Sequence, residues 1–422
     1  MLVSLVEWLR EMFGNLPGSR LFTFLSFRAG LAIIMSLIIS MAFGGLIIKK
    51  LRRMQVGESV RDLGLDGQLK KAGTPTMGGL IIILAIVVPC LLMARLDNVY
   101  ILTMLIATLW MGAVGFADDY IKVFRKNKGG LAGKFKIMGQ IGLGLIISVI
   151  MLFSDQIVVR MTVAEAESYG LGAEEMVGEP FQVEQEDGLV VFRADYKTTL
   201  TNVPFLSDNN LDYSRILPFA PALAESLVWI IFVPLIIFIV TAVSNAANLT
   251  DGLDGLAAGV SAIVASTLAI FVYVSSNAIV AEYLNILHLP GSEELFIFTG
   301  CLMGACLGFL WYNSFPASVF MGDTGSLALG GIIASLAILI RKELLIPLLC
   351  GIFLLETLSV MVQVSYFKYS RKRYGEGRRL LLMSPLHHHY QKAGMPEIKI
   401  VTRFWIVSIL LAVATILTLK IR

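Results

Sequence analysis

Asn248, Asp251 and Asp254 recur at three-residue intervals in Asn248-Leu249-Thr250-Asp251-Gly252-Leu253-Asp254-Gly255, between apolar runs over 227–243 and 256–274. Carboxylates at the edge of hydrocarbon are costly and are functional candidates by default. On a helix, this spacing would stack the three side chains along one face. Such a row of oxygens suits a hard cation like Mg²⁺, which takes carboxylate and water oxygens and often bridges to substrate phosphates. The competing reading is a helix start with Asp caps and a Gly-rich turn, since Asp and Asn are ordinary at helix N-termini.

Four further polar patches interrupt the apolar pattern. They are Lys70-Lys71-Ala72-Gly73-Thr74-Pro75-Thr76-Met77-Gly78-Gly79, the Asp118-Asp119 pair, the stretch from Asn313 through Gly322-Asp323-Thr324-Gly325-Ser326, and Pro385-Leu386-His387-His388-His389-Tyr390. Neighbouring helical residues splay by about 100°, so Asp118 and Asp119 face different ways. One of the pair could hold a metal while the other acts as a base or orients a substrate; a plain helix end meeting water is the alternative. Lys70, Lys71, Lys122 and Lys134 fit anchors at a membrane surface, and beside carboxylates they also suit a polyphosphate, whose transfer needs cationic charge and a metal. Consecutive histidines point apart, which is poor geometry for one ion, so proton shuttling or phosphate donation is the preferred role. Glu356 lies inside an apolar run and reads either as glue between helices or as part of the site.

The elements that must carry these groups are membrane helices. The 422-residue chain is 56% hydrophobic and only 15% charged, with a mean hydropathy of +0.78 and a net charge of +3; soluble domains are about a quarter charged. A span needs about 20 mostly apolar residues. Ten stretches qualify: 22–48, 77–93, 99–117, 137–153, 227–243, 256–274, 295–311, 327–340, 344–365 and 404–419, the eighth being short. The fold expected is therefore an all-α polytopic integral membrane protein of about ten transmembrane helices, one catalytic domain over 1–422. Alternating the spans puts all five polar patches on one side. The connections on that side carry 21 of the 34 Lys and Arg residues, which makes it cytoplasmic by the positive-inside rule and puts both termini on the other side.

The segment 154–226 is the exception to this plan. It has 13 acidic against four basic residues, strand-like stretches near 189–192 and 198–203, and turn signals at 186–188 and 207–210. It reads as an extracytoplasmic insert. Residues 1–14 suggest an amphipathic helix at the interface rather than a signal peptide. The four cysteines lie in apolar runs and read as packing residues.

Taken together, residues 74–79, Asp118-Asp119, 248–255, 320–326 and 385–390 resemble the polyprenyl-phosphate N-acetylhexosamine-1-phosphate transferases. The triple histidine is similar to the phospho-N-acetylmuramoyl-pentapeptide transferase branch. The likeness covers the chain apart from 154–226, a departure from the short loop usual in that family. It implies transfer of phospho-MurNAc-pentapeptide from its UDP carrier to undecaprenyl phosphate, giving lipid I and UMP, with Mg²⁺ required. It also implies roles for individual residues. Asp323 would be the main metal ligand, Asp118 would deprotonate or orient the lipid phosphate, and Asp119 would stand beside it. Asn248, Asp251 and Asp254 would shape the nucleotide and phosphate cleft, and Lys71, Asn313 and Phe320 would contact the uridine part. His387, His388 and His389 would hold phosphate or sugar, His389 as a catalytic group. Thr76, Lys134 and Ser326 complete the substrate-binding set. A homodimer embedded in the lipid of a bacterial inner membrane is implied, with no nucleic-acid partner. Direct attack and a covalent aspartyl intermediate both stay open.

Two rival functions remain. A relative using UDP-GlcNAc with the same lipid phosphate would share the acidic motifs, but such relatives carry a differently arranged histidine-arginine element. An ion-coupled transporter would place its acids near the midplane, often in inverted repeats; here they gather at one edge and no repeat is present.

Overall fold

The computed structural model describes residues 1–14, 18–54, 73–125, 127, 129–184, 190–204, 209–217, 223 and 227–420. Its long helices are α2 (Leu25–Arg53), α3 (Gly79–Met93), α4 (Val99–Val123), α5 (Gly133–Phe153), α7 (Trp229–Thr250), α8 (Leu256–Ser276), α10 (Leu295–Asn313), α11 (Gly322–Leu339), α13 (Gly351–Tyr374) and α15 (Glu397–Leu417). Short helices α1 (Leu2–Phe13), α6 (Val163–Ser168), α9 (Ala278–Leu284), α12 (Ile346–Leu349) and α14 (Leu386–Lys392) fill the connections. All ten apolar stretches are helical, as expected of a polytopic membrane protein.

Eight of them are long and apolar enough to cross a membrane. Two differ from the simple expectation. Helix α3 has only 15 residues, and the ninth stretch breaks at Cys350, where the helical segment 343–349 meets α13 at 76°. A glycine follows this break, and glycine is a common site of sharp helix bends. Three boundaries matter for function. Helix α4 runs past Ala117 to Val123, so Asp118, Asp119 and Lys122 are helical. Helix α5 starts at Gly133, which makes Lys134 and Lys136 helical. Helix α11 begins at Gly322, five residues earlier than hydropathy alone indicates, and carries Asp323 in its first turn.

Helix α11 is the hub, packing against α3, α4, α5, α7 and α8. Every residue from Thr324 to Leu339 is buried. The sequence permits this because small residues (Gly325, Ala328, Gly330, Gly331, Ala334, Ala337) let neighbouring backbones approach closely. A helix apolar on all sides belongs inside a bundle. The exposed apolar residues lie on the outer helices, for example Phe238, Trp311, Met361 and Leu410, as expected of surface facing lipid.

The 154–226 segment contributes β1 (Val159–Thr162), β2 (Met176–Glu184), β3 (Val190–Tyr196), β4 (Leu200–Asn202) and β5 (Asn210–Asp212). The first three form an antiparallel sheet in the order β1-β3-β2, and the last two form a two-stranded pair. The strand expected near 189–192 is β3, and that near 198–203 is β4. The turn expected at 186–188 lies outside the described residues, as do 207 and 208 of the turn expected at 207–210; Asn209 takes φ +53° just before β5.

The sheets dock on the end of the bundle away from Asp323. Arg341, Lys342 and Glu343 form a buried charged turn there. The Arg341 guanidinium donates to Thr198 O (2.8 Å), the Lys342 ammonium meets Asn202 Oδ1, and Tyr213 OH donates to Glu343 Oε1 (2.9 Å). Arg160 N–H donates to His288 O (3.0 Å), and the Arg193 guanidinium pairs with Glu282. Met1 and Lys420 lie at this end too: the Met1 amine donates to Leu91 O (2.9 Å), and the Lys420 ammonium to Tyr283 O (3.1 Å).

Burial lowers the Lys342 pKa to about 7 against the opposing pull of Glu343. The unfolded chain then binds the extra proton between about pH 7 and the ordinary lysine range, so stability rises with pH through that window. Lys342→Met should flatten the slope of melting temperature between pH 7 and 9 in detergent. Asn202→Ala leaves a buried ammonium short of an acceptor and should cost about 1–3 kcal/mol, read by thermal unfolding, with turnover per folded molecule unchanged. An unaltered melting temperature would contradict a stabilising contact between Asn202 and Lys342.

Candidate active site

Asp118, Asp119 and Asp323 are brought together where α4 meets the start of α11, with one carboxylate oxygen from each within 4.8 Å of the others. Asp118 and Asp119 are buried, and the Asp323 side chain is 14% exposed. Backbone contact makes the convergence possible. A Cβ on Gly115 would lie 2.2 Å from Asp323 O, and one on Gly79 would lie 2.1 Å from Gly325 N. Any larger residue at either place would force the helices apart.

Two ammonium groups enter the cluster. The Lys136 ammonium bridges Asp118 Oδ1 (3.0 Å) and Asp323 Oδ2 (2.5 Å). The Lys122 ammonium bridges Asp118 Oδ2 (2.5 Å) and Asp323 Oδ2 (3.2 Å). Asp118 Oδ1 also accepts from Leu131 N (2.7 Å), which folds the loop after α4 back over it. Asn248 Nδ2 donates to Asp323 Oδ1 (2.9 Å) and to Ser326 Oγ (2.8 Å). Asp119 faces elsewhere, onto the backbone of 323–324. Asp118 and Asp119 thus face different partners, as neighbours on a helix do.

Among the described residues this is the one carboxylate group spaced to hold an ion. The donors fit a hard divalent cation: all are oxygens, and with five groups ionised they keep one negative charge in excess. Asp118 and Asp323 already direct lone pairs at a shared cation, the Lys136 ammonium. Asp323, Asp118 and the Asn248 amide beside them are the groups that would receive a metal.

The row proposed for Asn248, Asp251 and Asp254 does not form. Helix α7 ends at Thr250, and Gly255 takes φ +80° before α8 begins. The two glycines in this stretch break the helical face, so Asp251 and Asp254 sit in the turn. Asp254 Oδ2 accepts from Ala317 N (3.0 Å), and Asp254 N donates to Glu397 Oε1 (2.8 Å). Asn313 Oδ1 accepts from Gly255 N (3.1 Å), and its Nδ2 donates to Val319 O (2.9 Å). These groups brace the loop 313–321 against the turn 251–255.

Phe320 lies half-buried on that loop. Its N–H donates to Pro75 O (2.8 Å), and its carbonyl accepts from Gly78 N (2.9 Å). Thr76 lies beside Gly322: a Cβ there would come 2.9 Å from Thr76 Oγ1. Lys71 and Lys70 lie outside the described residues.

The histidines ride on α14. His387 is fully buried, its Nδ1 lies 3.0 Å from Glu356 Oε2, and its N–H donates to Glu356 Oε1 (3.2 Å). Its Nε2 is packed on Gly252, where a Cβ would stand 2.1 Å away. Glu356 thus ties the histidine helix to α13, and His387 rests against the aspartate turn. The His388 ring packs on His387 with centroids 4.2 Å apart, and its Nδ1 contacts Gln391 Oε1 (3.1 Å). His389 Nδ1 accepts from Leu382 N (3.1 Å). The expectation that consecutive histidines point apart holds for His389 but not for His387 and His388, whose rings are in contact.

Lysine assignment is the main difference from the sequence reading. Lys134 is exposed, with its ammonium 5.1 Å from the Phe135 ring centroid, while Lys136 occupies the cluster. The signal lay in helical phase. Lys136 shares a face with the buried Gln140, Leu143 and Ile147 of α5, and Lys134 does not. Lys136→Ala should lower turnover at least about 100-fold, and Lys134→Ala should stay within a few-fold of wild type. Steady-state assays of the two variants decide the matter; the reverse order would reject this placement.

Comparison with known proteins agrees with this architecture. Residues 71–83 match the phospho-N-acetylmuramoyl-pentapeptide-transferase signature 1, and residues 192–341 match glycosyl transferase family 4. The chain is 53% identical over 424 residues to the phospho-N-acetylmuramoyl-pentapeptide-transferase of Flavobacterium psychrophilum, with 100% of each chain covered. It is 54% identical to that of Flavobacterium johnsoniae, covering 97% of each, and 51% identical to that of Porphyromonas gingivalis (strain ATCC 33277), covering 100% of each. With identity above one half along whole chains and the signature segment in place, this chain belongs to the phospho-N-acetylmuramoyl-pentapeptide-transferase family.

Proposed function

We propose that the protein transfers phospho-MurNAc-pentapeptide from UDP-MurNAc-pentapeptide to undecaprenyl phosphate, forming lipid I and UMP. A phosphate oxygen of the lipid bonds to the sugar-bearing phosphorus, the bond from that phosphorus to the bridging oxygen breaks, and UMP departs. The observation that carries this reading is the cluster of three carboxylates and two lysines at one end of a membrane bundle. That is where a soluble nucleotide and a lipid headgroup can meet.

Each group has a task suited to its position. Lys122 and Lys136 are held by carboxylates and present positive charge to a diphosphate, stabilising charge that develops as the bridging bond breaks. Asp118 orients and deprotonates the lipid phosphate. Asp323 is the principal ligand of Mg²⁺, held by the Asn248 amide, with Ser326 behind that amide. The bound ion supplies electrophilic stabilisation of phosphoryl oxygens. Thr76, Asn313 and Phe320, tied to one another through the loops 75–79 and 313–321, form the wall for the nucleotide together with Lys71. Asp251, His388 and His389 serve the side toward the sugar and phosphate, with Asp254 and His387 buried behind it. The bias of Lys and Arg to this end supports a cytoplasmic orientation in a bacterial inner membrane. A homodimer is part of the same proposal.

The nearer alternative is use of UDP-GlcNAc with the same acceptor. Purified protein given Mg²⁺ and undecaprenyl phosphate should release UMP from UDP-MurNAc-pentapeptide and not from UDP-GlcNAc, and Asp323→Ala should abolish the release while the protein stays folded. Turnover of UDP-GlcNAc alone would reject this choice of substrate.

A further inference from the structure

We propose that Asp119 is a positioning residue: it holds Asp323 in place by capping helix α11 from a different helix. This rests on the reading of Asp323 as a metal ligand and adds how that ligand is held.

The first N–H groups of any α-helix have no partner within the helix. The start of α11 is inside the protein, so water cannot take that place freely, and an unpaired buried N–H is costly. The residue before the helix is Met321, and no side-chain cap bond is made there. Asp119 supplies the acceptors from α4. Its Oδ1 accepts from Asp323 N (3.1 Å), and its Oδ2 accepts from Thr324 N (2.8 Å) and Thr324 Oγ1 (2.6 Å). A carboxylate at a helix N-terminus is also favoured by the helix dipole.

The two aspartates of α4 therefore differ in kind. Besides the Leu131 N–H, Asp118 binds two ammonium groups, which a metal can replace. Asp119 binds the backbone and hydroxyl of α11, which nothing diffusible replaces, and it is 3% exposed. Its fit is close. Gly322 takes φ +72°, and a Cβ there would lie 2.6 Å from Asp119 Oδ2. Asp119 fixes residues 323–324, and these fix where the Asp323 carboxylate points. Losing it tilts the ligand without removing it.

The test uses full-length protein in detergent and Mn²⁺ alone as the probe, with free Mn²⁺ followed by its EPR signal. Thr324→Val removes one hydroxyl donor at nearly constant volume, and Asp119→Asn presents an NH₂ where an acceptor is needed. Each should weaken Mn²⁺ binding about tenfold or more, the range for groups that orient metal ligands. The double variant should lose less than the product of the two, because both act through one interaction. Thr324→Ser should restore affinity. The limbs of the pH profile of kcat should keep their positions in Asp119→Asn, since the transferred proton does not reside there.

Wild-type Mn²⁺ affinity in Asp119→Asn, with affinity lost in Asp323→Asn, overturns the proposal and leaves the metal site standing. Loss of one limb of the pH profile in Asp119→Asn, with Thr324→Val behaving as wild type, overturns it in favour of a proton-carrying role. Wild-type affinity in Asp323→Asn removes the metal site and this proposal together. Should Asp119→Asn fail to fold, Thr324→Val and its serine counterpart decide alone.

Discussion

A helix buried on every side must still end, and its terminal amides must find partners. Helix α11 passes through the middle of the bundle and starts inside it. Its first turn needs acceptors and favours negative charge, and the neighbouring helix provides both in Asp119. That one junction sets the distance between α4 and α11. It brings Asp118 alongside Asp323 and creates a pocket of negative charge that Lys122 and Lys136 partly neutralise. The glycines at 79 and 115 follow from it, because the backbones must touch for the carboxylates to meet. Asn248 then holds the oxygen of Asp323 that the lysines leave.

The loops at this end form a lattice of backbone hydrogen bonds. Residues 75–79 bond to 320–321, Asn313 bonds to 255 and 319, and Asp254 bonds to 317. Polar loops normally vary and move. Here each takes its partners from another, so the loops hold one another in place. The opposite end is built on another plan. It closes with the sheets of 154–226 over the buried charges of 341–343, far from the chemistry. The insert therefore takes part in covering that end, and removing it would expose groups that the fold has dehydrated. The acidic cluster at one end and the closure at the other are joined by the same helix, α11, whose last residues lead into Arg341.

Much of this could be read from the chain. Long apolar runs fixed the helices, because spanning a membrane leaves few alternatives. The described parts of the five polar patches gather at one end of the bundle, because alternating helices place odd and even connections at opposite ends. Residues that depended on local geometry were harder to read. Asp251 and Asp254 kept a helical spacing across a turn, where glycine ended the helix first. Lys134 and Lys136 are two residues apart and differ only in phase, so the buried face of α5 was needed to choose between them. The bend at Cys350 left no mark in hydropathy, since both sides of it are apolar. The tasks of Asp118 and Asp119 could be told to differ, but which one faces a helix end depends on a partner more than 200 residues away.

The central claim is that carboxylates from α4 and α11 jointly hold a divalent ion at one end of the bundle. Anomalous scattering from crystals of the protein soaked with Mn²⁺ and a uridine nucleotide tests it most directly. The account predicts a peak within about 2–2.5 Å of an Asp323 carboxylate oxygen, beside Asp118, with the Lys136 ammonium displaced from the bridge. A peak on other residues, with the lysine bridge between Asp118 and Asp323 intact, would contradict it.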